Sequence, residues 1–215
     1  MSHLGSFEIA AGAFQELRLK LLLIMGEKEA KQVARDQREA MKAQGIHIQV
    51  ATEGEDFLFG GVEAIKFLRE GGFVSVAGDL VWTEQRSRLP VSFFGHEVGF
   101  SAGPHLLALL SNAPLFTMFT FRVEKGKHRI VMSSPREVKA ISRSERSAAL
   151  QASAQAYANA LEEIVRQHPF QWYIFEPFFE PRSADRRKSN PGFSSSNQGE
   201  DMGRQNFLLD GKRGR

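Results

Sequence analysis

Cysteine is absent from the 215 residues, which removes disulfides, thiolate nucleophiles and Cys-ligated metal sites together. The redox compartment stays open, with a cytosolic face as the default. Long apolar runs are missing as well. The longest aliphatic stretch, Leu21 to Met25, is strand-sized and far short of the ~18 residues of a membrane-spanning helix. The opening residues lack the pattern of a secretory signal. The excess of positive charge is small, +3, and unevenly placed. Eight of the 28 basic residues and four of the 25 acidic ones lie beyond Pro181, which leaves 20 against 21 in the body of the chain. The isoelectric point of about 9.3 therefore belongs to a tail and does not describe a nucleic-acid-binding surface on the folded part.

What is present is enough apolar material, 42% of residues, for one well-buried domain. Taken in order, the pattern predicts a helix from Phe7 to about Leu19 and a buried strand from Leu19 to Met25, which Gly26 ends. A helix follows over Glu27 to Gln44, whose Glu, Lys, Ala, Gln and Arg are strong helix formers. Ile46 to Val50 is a short strand, with His47 as one of its side chains. A second amphipathic helix, Gly61 to Glu70, is closed by Gly71-Gly72. The apolar strand Phe73 to Ala77 then ends at Gly78-Asp79. Helix, Gly turn, apolar strand and polar residue in that order form an α/β layout, in which ligands bind beyond the strand tips. Asp79 reads equally as a site residue and as a turn residue. Farther on come a strand over Leu115 to Phe121, a hairpin turn at Glu124 to Lys127 with its return strand His128 to Met132, and a long helix from Ser144 to His168. The aromatic segment after it is read as a seal on the core.

The chemistry-bearing stretch is Ser2-His3-Leu4-Gly5-Ser6-Phe7-Glu8. Residues five apart in a continuous helix point about 140° away from each other. A contact between His3 and Glu8 thus places the imidazole in a turn and the carboxylate in the helix that follows. Gly5 and Ser6 suit the bend, Ser6 as N-cap, and Glu8 falls where the helix dipole favours a negative charge. A carboxylate on one imidazole nitrogen leaves the other free to act as a general base.

His3, Leu4, Gly5 and Glu8 resemble the His-Leu-Gly-x-x-Glu mark of the lysophospholipid acyltransferase superfamily, in its bacterial lipid A biosynthesis (lauroyl/myristoyl) acyltransferase-like branch. Further blocks follow in the same order. Gly78-Asp79 resembles that family's Gly-Asp, and Val91-Ser92-Phe93-Phe94-Gly95 its Val-x-Phe-Phe-Gly. Gly103-Pro104 stands before a helix, Asn112-Ala113-Pro114 resembles the Gly-Ala-Pro turn, and Gln167 to Tyr173 resembles the closing Arg-x-x-Pro-x-Gln-Trp segment. One departure is plain: the Arg that often follows the Asp is Leu80 here. Arg86 and Arg88, read as lying in the same loop, are the nearest substitutes for recognising an oxyanion, or else are solvated.

The resemblance implies one α/β domain over residues 1–181, with a central, mostly parallel or mixed twisted sheet flanked by helices, followed by a disordered basic tail over 182–215. It implies an O-acyltransferase that moves a fatty acyl group from an acyl carrier protein or coenzyme A thioester to a hydroxyl of a lipid or glycolipid. His3 and Glu8 would be catalytic, Asp79, Arg86 and Arg88 would bind substrate, and neither cofactor nor metal would be needed. It places the protein peripherally at the cytoplasmic face of the inner membrane, with a membrane surface and no nucleic acid as partner. Members usually carry an anchor and further structure before the His, whereas only two residues stand before His3. The expectation is that His3 is loosely held, and an inactive or non-catalytic lipid-binding fragment is an alternative. A rival from another class is the Gly99-Phe100-Ser101-Ala102-Gly103 elbow of a serine hydrolase, with His128 or His168 as base. It requires a strand into Ser101, and His96 to Gly99 reads as a poor one.

The segment past Pro181, rich in Ser, Asn, Gly, Arg and Lys, buries too little to fold by itself. Deleting residues 182–215 is expected to leave the thermal midpoint within about 2 °C of the full chain. A calorimetric scan showing a fall of several degrees would mean that the segment docks on the domain.

Overall fold

The computed structural model describes residues 4–26, 30–31, 33, 35–51, 56–79, 88–174 and 178–179. They form a mixed α/β domain. His3, Arg86 and the whole of 182–215 lie outside the described residues.

Helix α1 (Phe7–Glu16) ends earlier than its pattern suggests. Arg18 takes a left-handed φ of 54°. Its N–H bonds the Gln15 carbonyl while that of Leu19 reaches back to Phe14. This is a Schellman closure made without glycine. The apolar run then becomes β1 (Leu21–Gly26). In the segment expected to be helical from Glu27, Ala30 and Lys31 are helical, Val33 is a buried bend, and helix α2 spans Arg35–Ala43. Strand β2 (Ile46–Ala51), helix α3 (Asp56–Arg69) and strand β3 (Phe73–Val76) follow. Helix α3 begins before Gly61 and stops at the Gly71-Gly72 pair as expected, with the Gly72 N–H on the Phe67 carbonyl.

The three strands form a parallel sheet in the order β2-β1-β3, with Leu21 opposite both Ile46 and Phe73. Its central strand is buried on both faces, as parallel sheets require. On one face Leu21, Leu23 and Ile46 pack with Ala11 and Phe14 of α1 and Met41 of α2. On the other, His47 lies edge-on to Phe67 of α3 at 5.7 Å, a packed strand side chain as expected.

The second half is built differently. Strands β4 (Arg88–Phe93) and β5 (His96–Ser101) form one antiparallel hairpin. Strands β6 (Met118–Glu124) and β7 (Lys127–Met132) form another, with helix α4 (Gly103–Ser111) between the two. Strand β6 starts later than Leu115 because Leu115 is engaged in an isolated bridge with Arg136. Helix α5 (Arg146–Gln167) supplies the stripe Ala154, Tyr157, Ala158, Leu161 and Val165, which meets Val91, Phe93, Phe100, Phe119 and Phe121 in the larger core. Phe93 and Phe100 are fully buried, each stabilising the fold by about 1.5–3 kcal/mol.

The outer edge of β4 is covered by side chains of α5 rather than by another strand. The Gln155 amide accepts the Ser92 N–H and donates to the Ser92 carbonyl, at 2.8 and 2.9 Å. Gln151 donates to Pro90, and Glu162 accepts the Phe94 N–H at 2.7 Å. These contacts satisfy backbone groups that an open edge would leave free.

The first described residues, Leu4 and Gly5, are tied down, while the expectation that His3 is loosely held falls on a residue outside the described ones. Leu4 is buried and bridges Trp172, and the Gly5 N–H bonds the Gln171 carbonyl at 2.9 Å. Gly5 has φ of 69°, and a Cβ there would fall 1.7 Å from the Thr120 carbonyl oxygen of β6. Gly5→Ala is accordingly expected to lower stability by about 2 kcal/mol or more and the melting temperature by roughly 4–8 °C. Gly12→Ala, in α1 with nothing within 4 Å of the new methyl, should be stabilising by up to about 1 kcal/mol. Denaturant melts of the two variants check both signs.

Candidate functional site

Strand β3 delivers Gly78 and Asp79 at its carboxyl end. Gly78 is required by the packing, since a Cβ there would meet the ring of Tyr157 at 2.8 Å. Its carbonyl accepts the Ser101 N–H at 3.1 Å, joining the tip of β3 to the end of β5. Asp79 is only 1% exposed, and its Oδ2 accepts the Trp172 Nε1–H at 3.0 Å. Trp172 also packs edge-on against Phe93 and Phe178, within the aromatic seal expected of this segment.

Gln171 extends the same connection. Its carbonyl holds Gly5, and its side-chain amide accepts the Arg122 N–H and donates to the Arg122 carbonyl, at 2.7 and 2.9 Å. Two consecutive residues therefore link the turn that follows His3, the Gly-Asp tip of β3 and strand β6. The linkage spans a sequence separation of 93 residues at Asp79.

The sequence-derived residues are distributed unevenly around this point. Glu8 stands exposed in the first turn of α1 and accepts a hydrogen bond from the Ser6 hydroxyl. Ser6 has the extended backbone of an N-cap, but its side chain makes no capping bond to the helix. The hydroxyl is given to Glu8 instead. Arg88 is not in a loop: it is the first residue of β4, opposite Ser101 and exposed, with its aliphatic stem over Gly99. His3 and Arg86 lie outside the described residues.

The rival elbow has its strand after all, since β5 runs into Ser101 and α4 leaves two residues later. Alternation of Val98 and Phe100 inward is what makes it a strand. The Ser101 Oγ accepts the Gly103 N–H at 3.3 Å. His128 is exposed on β7, paired with Arg122, and His168 stacks on Phe121 at 4.2 Å. Among the described residues neither candidate base is placed on the Ser101 hydroxyl.

Beside the tip of β3 lies a cavity of about 350 Å³, within the range of small-molecule pockets. Phe14, Phe73, Val76, Leu107 and Met118 contribute to its mainly apolar wall, with Gly78, Tyr157 and His105 among the other lining residues. Phe14 is six residues beyond Glu8 on α1, about 9 Å along the helix axis.

His105 is the functional candidate that sequence reasoning passed over. It is the lone polar residue between Pro104 and Ser111 in a leucine-rich helix, and that context was the available signal. The ring is 1% exposed. Its Nδ1 is 2.8 Å from the Ser153 Oγ of α5, and among the described residues Nε2 has no hydrogen-bond partner. Burial, aided by the positive charge of Arg136, lowers its pKa to about 4. The imidazole is therefore neutral at pH 7.

Among the described residues no group of three or more His, Asp or Glu could hold a metal ion, and no helix is long and apolar enough to cross a membrane. Because His105 titrates at about 4 when folded and near 6.5 when unfolded, the unfolded chain binds more protons between those pH values. Stability must then rise with pH across that window, by up to about 3 kcal/mol, and the loss is complete below about pH 4. Glu162, whose pKa is lowered by the Phe94 N–H and by Arg166, adds the same sign at more acidic pH. His105→Gln should flatten the pH 4–6.5 part of a urea-denaturation series and leave the acidic part in place.

Residues 28–180 match the model of a family described as bacterial lipid A biosynthesis acyltransferase. The match includes Asp79, His105 and the Gln171-Trp172 pair and begins after Glu8. A search of curated proteins gives no match.

Proposed function

Because the chain belongs to the bacterial lipid A biosynthesis acyltransferase family, we propose that it moves a fatty acyl group from an acyl carrier protein or coenzyme A thioester to a hydroxyl of a lipid or glycolipid. The family match carries this reading. The apolar cavity beside Gly78 supports it, because it offers an alkyl chain a desolvated site. Work at the cytoplasmic face of the inner membrane is part of the same proposal.

His3 is the general base, held in orientation by the Glu8 carboxylate. The imidazole takes the proton of the acceptor hydroxyl as that oxygen attacks the thioester carbonyl. The carbon–sulfur bond breaks, and the departing thiolate recovers the proton from the imidazolium. The acyl group passes directly, with no covalent enzyme intermediate. Leu4 and Gly5, pinned to Trp172 and Gln171, fix the backbone immediately after the base. A catalytic group needs such support. Asp79, locked under Trp172, holds the floor of the site, and Arg86 and Arg88 are the cations for the donor's or acceptor's anionic groups.

Isothermal titration with acyl coenzyme A and acyl carrier protein thioesters, followed by a radiolabelled transfer assay, tests the reading. Binding and transfer are expected, with His3→Ala lowering the rate by about 10²–10⁴ while binding persists. Binding without transfer would indicate a non-catalytic lipid-binding domain. Absence of thioester binding by a folded chain would sink the proposal.

A further inference from the structure

We infer that the tip of the β6–β7 hairpin, together with Phe170 beside it, docks the domain on the surface of an anionic lipid bilayer, next to the turn that follows His3. This rests on the reading that the acyl acceptor is a lipid or glycolipid held in a membrane.

The hydrogen bonds of Gln171 set the placement. Its side-chain amide takes both backbone groups of Arg122, on the edge of β6 turned away from β7, and its carbonyl holds Gly5. Beyond that anchor the hairpin runs on to its turn, about 10 Å farther at strand spacing, and every residue from Arg122 to Met132 is exposed. The register of β6 on β7 slips between Arg122 and Glu124, which makes Val123 a bulged residue, 41% exposed. Phe170 precedes Gln171 in the short helical turn Pro169–Gln171 and is 94% exposed. Two apolar side chains therefore stand in water on either side of one anchored pair, Arg122 and Gln171.

Charge selects the occupant. From Met118 to Met132 the hairpin carries Arg122, Lys125, Lys127 and Arg129 against one acid, Glu124, which accepts a hydrogen bond from Lys127 at 2.8 Å. The body of the chain is balanced at 20 basic and 21 acidic residues, so the excess of three on this hairpin is local. Cations interleaved with exposed apolar side chains suit a bilayer, whose anionic headgroups attract each Lys or Arg and whose acyl boundary receives the apolar groups. An acidic protein would answer the cations, but an isolated ring such as Phe170 would need a pocket in register with it. A fluid bilayer accepts the ring wherever it lands. Docked in this way, the turn that follows His3 lies within about 15 Å of the headgroup layer, five strand residues from the tip.

The test uses the full chain in vesicle flotation, with phosphatidylcholine alone or mixed with phosphatidylglycerol. Partitioning is expected to be about a hundredfold stronger on the anionic vesicles, since each net cation contributes roughly a factor of five, and to weaken as salt is added. Lys125→Gln combined with Lys127→Gln should lower it about tenfold or more, and Phe170→Ser about tenfold by itself. Both variants should keep the wild-type melting temperature and the wild-type rate of acyl transfer to a detergent-solubilised acceptor. Because the chain has no cysteine, Val123→Cys takes a single environment-sensitive fluorophore, which should shift to the blue on anionic vesicles. The same label at Gln37→Cys, exposed on α2, should not. No preference for anionic vesicles, undiminished binding by the variants, or a Val123 label left in water would overturn the inference, while the detergent assay decides the acyl reading independently. Loss of acyl carrier protein binding in the lysine variant, with vesicle binding intact, would assign the cations to the carrier and overturn it equally. Hairpin-dependent vesicle binding without transfer in detergent would keep the inference and overturn the acyl reading.

Discussion

The hydrogen bond from the Trp172 indole to the buried Asp79 carboxylate is the interaction on which the rest of the site depends. A carboxylate that is only 1% exposed is tolerable where its lone pairs are engaged, and the indole is a donor that reaches it from 93 residues away in the sequence. The bond fixes Trp172, which in turn fixes its neighbour Gln171. The turn at Leu4 and Gly5 and strand β6 hang on that pair. Loss of the indole N–H would therefore be felt both at the tip of β3 and at the turn next to His3.

The two cores divide the labour. The parallel sheet with α1, α2 and α3 brings Gly78 and Asp79 to a strand end. The hairpins and α5 provide the aromatic mass that covers them. The cavity lies where the two meet, walled by Phe14 and Phe73 from one and by Tyr157 and Met118 from the other. Among its polar lining residues, His105 comes from the helix between the hairpins and is fixed by α5.

Much of this was legible in the sequence where the signal is local. The run Leu21 to Met25, the Gly71-Gly72 stop and the inward stripe of α5 each follow from spacing and residue type, and so does the α/β class. Features were missed where the determinant is not local. The end of α1 is set by a left-handed Arg18, a conformation that arginine does not advertise. Strand β5 was discounted because His96, Glu97 and Gly99 are poor strand formers, although Val98 and Phe100 alternate into the core. The position of Asp79 at a strand end could be read, but its burial could not, since the covering indole is 93 residues away. For Arg88 the loop assignment failed because pairing with Ser101 extends β4 back to it.

Gln155 and Gln171 each act as a one-residue substitute for a neighbouring strand, presenting an acceptor to a backbone N–H and a donor to the carbonyl of the same residue. Only a primary amide has both functions on one carbon at that spacing. Hydrolytic deamidation would leave the acceptor half intact and turn the donor half into a second oxygen facing the carbonyl of Ser92 or Arg122. Deamidation of either glutamine would thus loosen the attachment of its hairpin without melting the core or cleaving the chain.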